Sequence, residues 1–140
     1  MKKFVLAAAI GLLLMGCGAA PGAGSHPSPT PSGQPGLGFD VGAGDQDQAI
    51  TMRVGEKLEV VLHARNGMNN WTHPKSADET ILAPIPDPAA SAARGVTLAA
   101  FKAMRPGTAE VTSTSSPYCP PNAACAMYLA VYNLKVTITQ

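Results

Sequence analysis

The stretch "YLAVYNLKVTIT", Tyr128 to Thr139, alternates in polarity with a period of two. Tyr128, Ala130, Tyr132, Leu134, Val136 and Ile138 fall on one side, and Asn133, Lys135, Thr137 and Thr139 on the other. Successive side chains of a strand point to opposite faces, so this is the pattern of a strand with one buried face. Leu129 and Val131 interrupt the polar side, and the start of the strand is therefore expected to be covered on both faces. A lone strand leaves its backbone unpaired, so the chain must supply others.

Shorter runs of the same kind precede it. "AITMRV" (Ala49 to Val54) alternates, and "LEVVLH" places Leu58, Val60 and Leu62 on one side with Glu59 and His63 on the other. Ile81 and Leu82 mark a short strand. "VTLAAFKAM" (Val96 to Met104) is another, closed by the turn "RPG", and "TAEVTSTSS" sets Ala109 and Val111 inward against Glu110 and Thr112 outward. Trp71, the only tryptophan, follows "RNGMNN", whose asparagines and glycine suit a tight connection. "PDPAASAARG" (Pro86 to Gly95) reads as loop with room for one helical turn, because its prolines forbid a long element. Six or seven short strands without a long helix predict an all-β fold: an immunoglobulin-like antiparallel β-sandwich of about seven strands, with Trp71 buried in the third.

The other end of the chain sets its address. "MKKFVLAAAIGLLLMGC" pairs two lysines with an apolar run from Phe4 to Met15 that is too short to span a bilayer, as in a secretory signal peptide. "LLLMGC" (Leu12 to Cys17) resembles the lipobox of bacterial lipoproteins. That resemblance implies cleavage before Cys17 and acylation of its thiol, hence an extracytoplasmic protein of the cell envelope, lipid-anchored to a bacterial membrane. The following "GAAPGAGSHPSPTPSGQPGLG" carries no Asp, Glu, Lys or Arg and little that can pack, the composition of a tether. The expected organisation is a signal peptide over 1–16, a lipid-anchored disordered Gly/Pro/Ser linker over 17–44 and the sandwich domain over 45–140.

Loss of Lys2 and Lys3 with the signal takes the formal charge from +1 to −1, because the first acidic residue is Asp40. A near-neutral domain without a basic cluster argues against nucleic acid as a partner. Export favours cysteine pairing. With Cys17 assigned to lipid, Cys119 and Cys125 in "YCPPNAAC" remain. Zinc sites use two to four intervening residues with further ligands and redox pairs use two, so the five here point to a local disulfide. Closing so short a loop stabilises by about 2 kcal/mol in the chain-entropy model and stiffens a segment that Pro120 and Pro121 already restrain.

"TMRVGEKLEVVL", a tryptophan after a polar turn, "ADETIL", "FKAMRPGTAEVT" and the terminal "LKVTIT" resemble bacterial immunoglobulin-like surface domains. They are equally similar to the chagasin-like inhibitors of papain-type cysteine proteases, over Ile50 to Thr139. The inhibitor resemblance implies function on three loops at one end of the sandwich. "NGMNNW" keeps Asn66 and Trp71 of the first loop pattern, "ASAARG" offers Gly95 for the glycine-rich second, and "SSPYCPPNAACAM" stands where the third carries arginine, proline and tryptophan. The scaffold agrees and most loop motifs do not.

No glycine-flanked serine or other nucleophile motif appears, and the acidic residues are scattered singly, so the reading is of a protein that is not an enzyme. No cofactor is expected. His63, Met68 and His73 offer soft and imidazole ligands for copper, set against two ordinary exposed histidines, and no metal site is assigned. The sequence thus predicts a non-enzymatic binding or structural module. It reaches the membrane through Cys17 and presents Asn66, Met68, Asn69, Asn70, Tyr118, Pro120, Pro121 and Asn122 to an unidentified protein partner. The alternatives are a chagasin-like inhibitor, whose partner is a cysteine protease, and, behind it, a periplasmic metal-binding lipoprotein.

Overall fold

The computed structural model describes residues 33–87 and 93–140. The expected signal peptide, Cys17, most of the expected linker and residues 88–92 of the expected loop lie outside the described residues. Among those described, period-two alternation has become eight strands: β1 (Val41–Ala43), β2 (Ala49–Arg53), β3 (Lys57–His63), β4 (Lys75–Ser76), β5 (Leu82–Ile85), β6 (Val96–Ala103), β7 (Gly107–Ser115) and β8 (Ala130–Thr139). They form two four-stranded sheets, ordered β1-β3-β6-β5 and β2-β8-β7-β4. The chain is all-β and sandwich-like, as its patterning predicts.

The inward sets meet in one core. Leu58, Val60, Leu62 and Phe101 of the first sheet pack in one cluster with Val111, Leu134, Val136 and Ile138 of the second. Each fully buried side chain of this size contributes about 1.5–3 kcal/mol, so the two inner faces dominate the stabilisation. Ala109 and Val111 point inward and Glu110 and Thr112 outward, as the alternation requires.

Registers fix which loops share an end. β3 pairs antiparallel with β6, His63 opposite Val96, and β7 with β8, Ser115 opposite Ala130. The chain leaving His63, entering Val96, leaving Ser115 and entering Ala130 therefore all does so at the same end.

Two pairings depart from a uniformly antiparallel plan. β1 adds parallel to β3 and β2 adds parallel to β8. Residues 44–48 carry the chain from one sheet to the other at the loop end and reverse it there, so β1 and β2 each form an edge strand running the same way as its neighbour. β1 also falls within the stretch whose composition reads as linker. Gly33 bridges Gly42 antiparallel on its outer side, and a Cβ on Gly42 would stand 2.6 Å from the Gly33 carbonyl oxygen. These glycines serve close backbone approach, a role composition does not distinguish from flexibility.

The same segment explains Glu59, expected on a solvated face but only 5% exposed. The Gly36 N–H donates to its carboxylate at 2.6 Å, so residues 33–36 cover it. Leu129 and Val131, expected to be covered, are instead 64% and 65% exposed. β2 begins opposite Lys135, so among the described residues no strand pairs with the first residues of β8 on that side, and none forms a second layer over the outer face of this sheet. Tyr128 precedes the strand and is exposed as well.

Candidate binding site

Trp71 organises the loop end from within. It is buried as expected but lies outside any strand. Its indole N–H donates to the His63 carbonyl at 2.9 Å, its own carbonyl accepts from the Thr97 hydroxyl, and its ring meets Tyr132 edge-on at 6.3 Å. Trp71 thereby ties the end of β3 to both sheets, and the loop from Arg65 to Asn70 is anchored at its base.

The two segments predicted as contact loops are joined to each other. Gly67, with φ near 77°, completes the turn in which the Met68 N–H donates to the Arg65 carbonyl. Beyond it Met68 bridges Pro117, the Asn69 N–H donates to the Ser116 carbonyl at 2.8 Å, and the Tyr118 N–H donates to the Gly67 carbonyl at 2.8 Å. The Asn69 amide donates to the Ser116 hydroxyl and the Pro117 carbonyl, while the Ser115 hydroxyl donates to the Asn69 carbonyl. The Ala64 N–H donates to the Gly95 carbonyl, which brings the β5–β6 connection alongside. Three loops therefore converge.

The predicted residues divide by role. Asn66, Asn70, Tyr118, Pro120, Pro121 and Asn122 are exposed at this end. Asn69, also exposed, spends its amide on holding the loops together. Met68 is half-buried, and its sulfur accepts from the Tyr128 hydroxyl at 3.4 Å. Cys119 and Cys125 form the expected disulfide, with Cα atoms 5.8 Å apart. Inside it the Ala123 N–H donates to the Pro120 carbonyl, and Asn122 takes a positive φ of 63°, which asparagine tolerates better than most residues. Both thiols are consumed, leaving no cysteine nucleophile among the described residues.

His63, Met68 and His73 are each engaged separately. His63 Nδ1 lies 2.8 Å from Asp45, Met68 faces Tyr128, and His73 lines a different groove with Thr72, Lys75 and Thr112. Among the described residues no group of three or more His, Cys, Asp or Glu is placed to hold a metal.

Sequence reasoning passed over two surfaces. One is a groove of about 670 Å³ bordered by Pro117, the disulfide, Ala126, Met127, Tyr128 and Leu129. The other is a polar hollow of about 440 Å³ where Asp45, Asp47 and Gln48 face Arg65, Trp71 and Tyr132. The Arg65 guanidinium lies 5.7 Å over the Trp71 ring. Burial first, and then Asp47 and Asp45, push the Tyr132 phenol well above its ordinary value. Its hydroxyl has no hydrogen-bond partner among the described residues. "GDQD" ahead of β2 was the available signal for the hollow, and the uncharged "AMYLAV" for the groove.

No family model matches the sequence, and no curated protein sequence matches it. Among solved structures, the chain is similar to amebosin, with 18% identity over 73% of this chain and all of the other, and a TM-score of 0.43. It is also similar to the cysteine protease inhibitor EhICP2 from Entamoeba histolytica, with 12% identity over 74% of this chain and all of that one, and a TM-score of 0.48.

Proposed function

We propose that this chain is an extracytoplasmic, non-enzymatic binding module, lipid-anchored at Cys17, whose contact surface for a protein partner is the joined end formed by Asn66–Asn70 and Ser116–Ala126. The observation that carries the reading is the locking of the two loops. Backbone and side-chain bonds from Asn69 to Ser116 and Pro117, with the disulfide beyond, fix the surface before any partner arrives. Preordered loops lose less entropy on binding, which is the use a recognition surface has for such bracing. The test is capture of envelope proteins by the acylated chain beside a variant in which Ser116–Ala126 is replaced by a short glycine turn. A partner retained equally by both removes this surface from the proposal.

A second reading, inhibition of papain-type cysteine proteases, is supported by the convergence of three loops on one end, the arrangement the sequence resemblance implies. Its weakness is composition: "YCPPNAAC" stands where the inhibitor motif would be. Titration against papain decides between them, and absence of inhibition at micromolar concentration removes the inhibitor reading for that enzyme class.

A further inference from the structure

The described chain begins at the loop end. β1 runs parallel to β3 and therefore toward His63. Gly33, the first described residue, bridges Gly42 antiparallel and borders one hollow with Asp45 and His63. The tether's point of attachment and the loops share an end of the sandwich.

That end is unusually apolar. Met127 is 99% exposed, Leu129 64%, Val131 65%, Tyr118 61% and Tyr128 56%. From Val111 to Leu134 the sequence contains no Asp, Glu, Lys, Arg or His. The segment itself therefore offers no charge to a partner and brings none to oppose its transfer from water; Asp45, Asp47 and Arg65 line the hollow that Val131 also borders. Aromatic and aliphatic side chains with few charges suit the interface of a lipid bilayer.

We infer that the ridge formed by Met127, Tyr128, Leu129 and Val131 rests on the surface of the membrane that carries the anchor, beside the loops proposed above as the protein contact. The inference rests on the acylation of Cys17 proposed above. Fifteen residues lie between Cys17 and Gly33, a reach of at most about 55 Å. Turning the domain over would require the tether to run back along its length, about 34 Å for a ten-residue strand such as β8. The tether reaches either way, and the exposed apolar side chains set the side that meets the bilayer. Partners of the neighbouring loops are then met at the membrane surface, not in free solution.

The test uses the mature chain acylated at Cys17, bound to phosphatidylethanolamine–phosphatidylglycerol vesicles with or without brominated acyl chains. Leu129→Trp places a reporter on the ridge, and Met104→Trp places one at the opposite end; both sites are exposed, and buried Trp71 is a common background. Flotation with the vesicles, and at least twofold quenching by brominated lipid at position 129 with none at 104, is the expected result. Adding Met127→Ser and Val131→Ser should restore at least half of the emission quenched at 129. A chain that does not float overturns the anchor and the inference with it. A chain that floats without quenching at 129, or with equal quenching at both sites, overturns the orientation alone. Protection of position 129 from acrylamide that grows with protein density, without lipid quenching, assigns the ridge to a second copy of this chain instead.

Discussion

Tyr132 shows how one side chain serves core and surface at once. Its ring closes the core against Trp71, while its hydroxyl sits unpartnered among the described residues at the base of a hollow containing Asp45 and Asp47. A buried hydroxyl without a partner contributes little net stability, so Tyr132→Phe is expected to change unfolding free energy at pH 7 by less than about 0.5 kcal/mol. Alkaline pH separates the two proteins. The folded phenol titrates above its ordinary value of 10.0, so above that pH the unfolded chain loses the proton first. Stability therefore falls as pH rises past 10, by about 1.4 kcal/mol per pH unit from this group. Urea unfolding at pH 9 and 11 should show a steeper loss for the native chain than for Tyr132→Phe; equal slopes would refute the burial argument.

At the level of elements, β7 and β8 were legible because one face of each is core and the other solvent, so alternation reports burial directly. β1 was not, because "GQPGLGFDVGAG" carries the residues of turns and tethers. Here glycine is required by packing: Gly42→Ala would drive a methyl against the Gly33 carbonyl. The expected cost is about 1–3 kcal/mol, with faster amide exchange confined to residues 33–43 and Glu59; unchanged exchange there would argue against the Gly33 bridge. Glu59 was misread for the same reason, since its cover comes from a segment 23 residues away in sequence. The start of β8 was misread because period two cannot say whether an outer face meets a second layer or water. The contact loops were legible as loops, and the bracing disulfide followed from export and spacing. The hydrogen bonds joining Asn69 to Ser116 span 47 residues, beyond any local pattern. Replacing Cys119 and Cys125 with serine should cost about 2 kcal/mol and leave β7–β8 intact. Loss of the β-sheet circular dichroism signal at 25 °C would mean that the bridge supports more than its own loop.

At the scale of the whole molecule, the last strand is an inner member of its sheet. β8 lies between β2 and β7, and Ala49 pairs with Lys135. Without β8, the second sheet loses its centre and the first loses the face it packs against. A chain ended at Tyr128 is expected to show no cooperative thermal transition, and a sharp one in that variant would show that the first sheet stands alone. The closing pair of strands is also the most distant in sequence, and such non-local pairing is slow to form. For the exported chain proposed above, this ordering would be useful. Until residues 130–139 have been synthesised, the emerging polypeptide has no complete structure to jam the export channel, and it reaches the far side still able to pass through.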